Sequence, residues 1–215
     1  MTTFISIYNW AMSKFDDPIL SQIYRENSHE FFRIMYLKMQ SAISEFVIPK
    51  YVSAKLEDRI EPVFYKEVFD GDGVADIFTL TAIELTGEVM VEARVNGVVI
   101  DITSIIDKTI TLSSVPPQGN GNVEISVYID GFFNQNLTFR TQDILALLIV
   151  KAWAEKERNF LLDIRRLIGD KDFRLISEAN SLREKNNWYN SIREEADKKM
   201  TALSWSTSME NRRRR

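Results

Sequence analysis

"EVFDGDGVADIFTLT", Glu67 to Thr81, sets two Asp-Gly pairs ahead of an alternating apolar run. Two readings compete for it. Asp-x-Asp-Gly opens helix-loop-helix calcium loops, and it is also a way for a chain to turn into a strand. A calcium loop needs further ligands at its fifth and twelfth positions, the last a bidentate Glu, with a helix on each side. Counted from Asp70, Asp72 falls at the third position, but Val74 is fifth and Thr81 twelfth, and both flanks read as strand. The mismatches favour a turn in which Gly71 and Gly73 allow positive φ and the Asp side chains cap it. No metal centre is therefore expected. The competing reading is a cation site in which Asp70, Asp72 and Asp76 converge. On the favoured reading the glycine turn launches the first strand of a β module and marks where the fold changes.

Downstream and upstream of this turn, from about Val63 to Phe139, hydrophobicity alternates. "DIFTLTA", "EVMVEARVN", "GVVIDI", "TITLS" and "NVEISVYIDG" are rich in Val, Ile and Thr and predict five short strands. Asn96-Gly97, between two alternating runs, is a strong two-residue hairpin signal. "VPPQGNGN", Val115 to Asn122, is a loop before the last strand. Strands at this spacing suggest a small antiparallel sandwich or barrel.

Outside that region the period is helical. "SIYNWAMSKF" is amphipathic, and "DDPILSQIYREN" has Asp17 as a candidate N-cap and Pro18 at the first helical position. "SHEFFRIMYLKMQSAISEFVI" follows, capped by Asn27 or Ser28 and ended by Pro49. "TQDILALLIVKAWAEKERNFLLDIRRLIG" predicts a helix of about 28 residues, roughly 40 Å, with Thr141 as N-cap, Asp143 in the first turn and Gly169 as the stop. A second long helix is expected from about Asp170 to Trp205, with Asn186-Asn187 as its weak point. "STSMENRRRR" has no apolar periodicity.

The expected fold is α+β: a helical bundle with long C-terminal helices over 1–62 and 141–205, an inserted antiparallel β module over 63–140, and a flexible basic tail over 206–215. Charge follows this division. Residues 1–50 carry 5 basic and 5 acidic side chains, 51–140 carry 6 and 14, and 141–215 carry 16 and 12. An acidic middle and a basic end predict segments with different surroundings.

Catalytic designs are scarce. The chain has no cysteine and a single histidine, His29, which excludes thiolate nucleophiles and two-His metal sites. His29 reads as a first-turn helix residue on a solvated face. No phosphate-cradling loop or dinucleotide fingerprint occurs, so neither a cofactor nor an enzymatic activity is expected. No apolar run reaches the roughly 18 residues of a membrane span, and "MTTFISIYNW" lacks the basic start and cleavage site of a signal peptide. Arg212, Arg213, Arg214 and Arg215 concentrate positive charge suited to a carboxylate-rich groove or a nucleic-acid backbone. The dense aromatic and Met positions of the helices read as a packed core, and Phe31, Phe32, Met35, Trp153, Phe160, Trp188 and Tyr189 are also candidates for packing between subunits.

Taken together, the amphipathic "DDPILSQIYREN" and "SHEFFRIMYLKMQSAISEFVIPKY", the long "TQDILALLIVKAWAEKERNFLLDIRRLI" and "REKNNWYNSIREEADKKM" resemble the head-to-tail connector, or adaptor, proteins of tailed bacteriophages. The β region is similar to small modules of phage tail and fibre proteins at Gly71, Asp72, Gly73, Phe78, Leu80, Val95, Asn96, Gly97, Pro116, Pro117 and Gly119. The resemblance implies a virion neck protein, assembled in the host cytoplasm. It would form a homo-oligomeric ring, usually a dodecamer, that meets the portal protein and neighbouring tail proteins, lets DNA pass non-specifically and touches no membrane. A tail-fibre or baseplate attachment protein, and a cell-wall hydrolase, are the rival expectations.

Overall fold

The structure, a computed structural model, describes residues 1–15, 18–46, 50–85, 89–168 and 178–213. It is α+β, with six helices and three antiparallel sheets among the described residues. The chain divides into two compact units: unit 1, Met1–Asp16, Met35–Arg59 and Phe133–Arg215, and unit 2, Asp17–Ile34 and Ile60–Phe132.

Unit 1 is helical. It holds α1 (Phe4–Met12), the second half of α3 (Ser28–Glu45), α4 (Lys50–Glu57), α5 (Phe139–Ile168) and α6 (Glu178–Arg213). Ile144 through Val150, seven successive residues of α5, are all buried. A helix that is apolar all round must lie at the centre of its unit, and α1 and α6 both pack against it. On α6 the buried Leu182, Tyr189, Ala196 and Leu203 recur every seven residues, the period of a helix–helix seam. The two helices run antiparallel: Lys185 reaches Glu157 at 2.6 Å, while Lys199, one end further on, reaches Asp143 at 2.6 Å. The Arg158 guanidinium lies 4.3 Å over the Tyr189 ring between those pairs.

Helix boundaries differ from expectation, most of all in α5 and α6. α5 begins at Phe139, because the cap is Thr138 and not Thr141: the Thr138 hydroxyl accepts the Thr141 N–H at 3.3 Å and shares a hydrogen bond with the Thr141 hydroxyl at 2.9 Å. Thr138→Ala is expected to cost about 1 kcal/mol in urea unfolding followed by tryptophan fluorescence. Second, the helix expected to end at Trp205 continues to Arg213, so the tail placed at 206–215 is helical over most of its length. Its buried stripe is carried on by Thr207, whose hydroxyl donates to the Leu203 carbonyl at 2.9 Å. A polar residue in the seam hides the period. α6 also runs unbroken through Asn186-Asn187. The expected caps and stops at Asp17, Pro49, Gly169 and Asp170 lie outside the described residues.

Unit 2 holds α2 (Pro18–Glu26), the first turns of α3 and most of the strands. Three further strands have two residues each: β1 (Thr2–Thr3), which belongs to unit 1, and β2 (Arg59–Ile60) and β10 (Phe132–Phe133), which fall where the chain passes from one unit to the other. The expected module is drawn differently here, for it takes in Asp17–Ile34 and gives up the residues after Phe132. Aromatic packing explains the gain: Phe32 stacks on Tyr128 at 4.4 Å, and Tyr24 meets Phe31 edge-on at 4.9 Å. Periodicity reports that these residues are helical but not which core they join.

The strands β3 (Val63–Gly71), β5 (Val89–Val95), β6 (Val98–Ile100) and β9 (Gly119–Ile129) form one sheet in the order β3-β9-β5-β6. β4 (Ile77–Thr79), β7 (Ile102–Ile106) and β8 (Thr109–Leu112) form another in the order β4-β8-β7. The expected sandwich or barrel is thus two sheets, each open in strand order. Both feed one apolar cluster that includes Phe78, Leu80, Ala93, Ile110, Leu112, Val123, Ile125 and Val127. The β5–β6 hairpin is the one the Asn-Gly signal predicts: Val95 pairs with Val98, and Asn96 and Gly97 have φ of 50° and 80°.

Candidate functional site

The stretch Glu67–Thr81 is a pinned loop. β3 runs through its first half, so the Asp-Gly pairs end the first long strand rather than launch it, and they carry the chain to β4 in the other sheet. Its two ends are tied together. The Glu67 carboxylate accepts the Thr81 hydroxyl at 2.7 Å and the Thr81 N–H at 3.0 Å. Burial raises the affinity of Glu67 for its proton, but these bonds and one from Tyr65 outweigh it and hold the carboxyl below its ordinary value. At the tip, Asp72 Oδ1 accepts the N–H of Ala75 at 2.7 Å and of Val74 at 2.8 Å, which lowers the Asp72 pKa. Asp70 Oδ1 accepts the Gly121 N–H at 2.6 Å. Among the described residues no three acidic or histidine side chains gather as metal ligands. Asp70 and Asp72 turn their oxygens to the backbone, as turn chemistry requires.

Asn122 locks the loop from the other side. Its Oδ1 accepts the Gly71 N–H and its Nδ2 donates to the Pro117 carbonyl, both at 2.8 Å. The sequence gives no sign of this partner, which is fifty-one residues from Gly71.

A second polar knot joins the helical and strand parts of unit 2. Glu92 Oε2 accepts both the N–H and the hydroxyl of Ser28 at 2.8 Å, while Oε1 takes the Arg94 Nε at 2.8 Å. Arg94 in turn donates to the Glu26 carbonyl. Glu92→Gln keeps an acceptor but loses the charge, so a loss of about 1 kcal/mol is expected by chemical denaturation. His29, expected on a solvated face, instead meets the Phe64 ring edge-on at 5.7 Å, and its Nε2 is buried with no hydrogen-bond partner among the described residues. Burial, the largest influence, lowers its pKa despite Glu92 and Glu30 nearby.

The residues expected to pack between subunits divide sharply. Phe31, Phe32, Met35, Trp153 and Tyr189 are buried within the chain itself. This corrects their assignment: an aromatic at helical spacing serves the nearest core first. Trp188 is half-buried, and Phe160 is 61% exposed. Arg212 and Arg213 close α6; their side chains, with Arg214 and Arg215, lie outside the described residues.

A cluster of exposed apolar side chains in unit 1 lies where α6 passes the start of α5. Phe139, Trp205 and Met209 are 64%, 66% and 58% exposed. Ala202, Trp205 and Met209 fall on one stripe of α6. Phe139, Arg140, Asp143, Ile144, Lys199, Ala202 and Leu203 line a groove of about 270 Å³ between the helices. Asp143 organises its base by accepting Lys199 at 2.6 Å, Lys14 at 2.9 Å and the Trp10 indole N–H at 3.1 Å. Burial opposes ionisation of Asp143, but the two ammonium groups prevail and hold its pKa below the ordinary 3.8.

The units also separate charge more sharply than the sequence segments do. Unit 2 contains 5 basic and 15 acidic residues, and unit 1 contains 22 and 16, giving net charges of −10 and +6. No helix among the described residues is long and apolar enough to cross a membrane.

Comparison of the chain with protein-family models, curated proteins and solved structures finds no match.

Proposed function

We propose that this protein is a structural component of a tailed-phage virion: a ring-forming connector, assembled in the host cytoplasm, that joins the portal to the tail and lets DNA pass. The observation that carries the reading is the charge division along structural units, −10 on one and +6 on the other. A chain with two units of opposite charge suits heterologous contact with its own copies and with other rings. The exposed aromatic and Met side chains on α5 and α6 support it, since such residues anchor interfaces. The arginine run Arg212–Arg215, whose first two residues close α6, is the segment proposed to meet the portal. The mechanism is geometric, with helices forming the wall of the ring and DNA crossing the lumen without base-specific contact. Electron microscopy of the purified protein mixed with portal tests it: a ring seated on the portal is expected, and a chain that never binds portal overturns the reading.

A second reading is an attachment protein whose β unit recognises a partner or carbohydrate. It is favoured by Val98, Val99, Ile105 and Ile106, exposed on the strands that border both larger sheets. Glycan-array binding by the whole chain, lost on Ile106→Lys, would select it.

A further inference from the structure

We infer that copies of this chain join head to tail, with the Asp70–Ile77 turn on unit 2 of one copy seated in the α5–α6 groove on unit 1 of the next. The inference rests on the oligomeric reading above and names its contact.

The turn is an apolar knob with an acidic collar. Val74, at 80%, is the most exposed large apolar side chain among the described residues, and Ile77 is 55% exposed. Both sit among Asp70, Asp72 and Asp76. Turn tips ordinarily carry polar residues, and no described residue of unit 2 buries these two. The knob is held rigid by the Asp72, Asp70 and Asn122 hydrogen bonds described above, so little ordering entropy is lost when it docks.

The groove is the complement: apolar walls with a basic collar. Phe139, Ile144, Ala202 and Leu203 supply the apolar lining, and Arg140 and Lys199 flank it. Lys199 is matched by Asp143 and Glu195, whereas Arg140 has no carboxylate partner among the described residues. Trp205, one turn beyond Ala202, extends the apolar surface. The net charges of −10 and +6 steer the acidic knob of one copy to the basic groove of another. Because knob and groove are different patches, the contact is heterologous, and repetition closes a ring or runs on as a filament.

Sedimentation of the full chain tests this. The wild type is expected to self-associate at low salt, with an apparent Kd that rises about tenfold or more between 50 mM and 500 mM salt. Val74→Asp puts a charge on the knob and Ala202→Glu fills the groove; both positions are exposed, so both variants should melt like the wild type. If Val74→Asp proves unstable, Val74→Ser replaces it. Each variant alone is expected to associate on the order of 30-fold more weakly. Mixed one to one, they should form a dimer and stop there, since only one knob and one groove remain intact. A wild type that stays monomeric at low salt overturns the inference. So does loss of association in one variant but not the other, because the contact then uses a single patch. Variants that oligomerise as the wild type does overturn the head-to-tail joint and leave the connector reading standing. Rings that obey the variants but never bind portal do the reverse.

Discussion

Gly71→Ala is expected to destabilise unit 2 by about 3 kcal/mol. A Cβ at Gly71 would stand 2.3 Å from the Pro117 carbonyl oxygen and 2.9 Å from Asn122 Oδ1. The first neighbour is backbone and cannot rotate away. Relief requires β3 and the Pro117–Asn122 segment to separate. That loosens the Gly71–Asn122, Asn122–Pro117 and Asp70–Gly121 hydrogen bonds together. Overpacking costs about 1–3 kcal/mol and each lost hydrogen bond about 0.5–1.5 kcal/mol. Gly97→Ala is the control. No described residue lies within 4 Å of its added Cβ, but its φ of +80° is strained for alanine, so about 1 kcal/mol is expected. All four tryptophans, Trp10, Trp153, Trp188 and Trp205, belong to unit 1. The measurement is therefore hydrogen exchange at the β9 amides of Val123 and Ile125. A loss no larger than that of Gly97→Ala would show that the close approach does not exist.

Asp143→Asn is expected to cost unit 1 about 2–3 kcal/mol at neutral pH, a drop of roughly 10 °C in its melting temperature. The substitution leaves Lys14 and Lys199 beside a neutral amide at the base of the groove. The figure is kept below that of a fully buried pair because the two lysine side chains are 25% and 39% exposed. Its pH dependence is specific. The folded carboxyl has a pKa below 3.8, so the unfolded chain binds the proton more readily. The stability it contributes is present in full above that ordinary value and is lost as pH falls through the folded one. Tryptophan fluorescence should find wild type and Asp143→Asn far apart at pH 7 and converging below about pH 4. A gap that stays constant into acid would mean that the charge of Asp143 does not act through the two lysines.

Much of the fold was legible because it is written in short-range pattern. The switch from helical to alternating period located the strands. Asn96-Gly97 fixed a hairpin, since few residues tolerate two successive positive φ angles. The apolar stretch Ile144–Val150 marked the central helix. The Asp70–Asp72 turn was also readable in its chemistry, with carboxylates capping backbone N–H groups. Its place in the order of strands was not, because the residues before it alternate too weakly to announce β3.

What the sequence by itself determined is the period of the longer helices and of most of the longer strands, and the scarcity of catalytic chemistry in a chain with one histidine and no cysteine. What only the tertiary structure decided is which core each element joins. The aromatic residues of α3 look alike in sequence whether they meet another subunit or a sheet of their own chain. Packing against Tyr128 settled that for Phe32. The same holds for Asp143, a first-turn acid by sequence, whose partners Lys14 and Lys199 lie 129 and 56 residues away. The reason is physical. Backbone propensity and period act over a few residues, while burial, ion pairing and close approach are fixed only when distant segments meet.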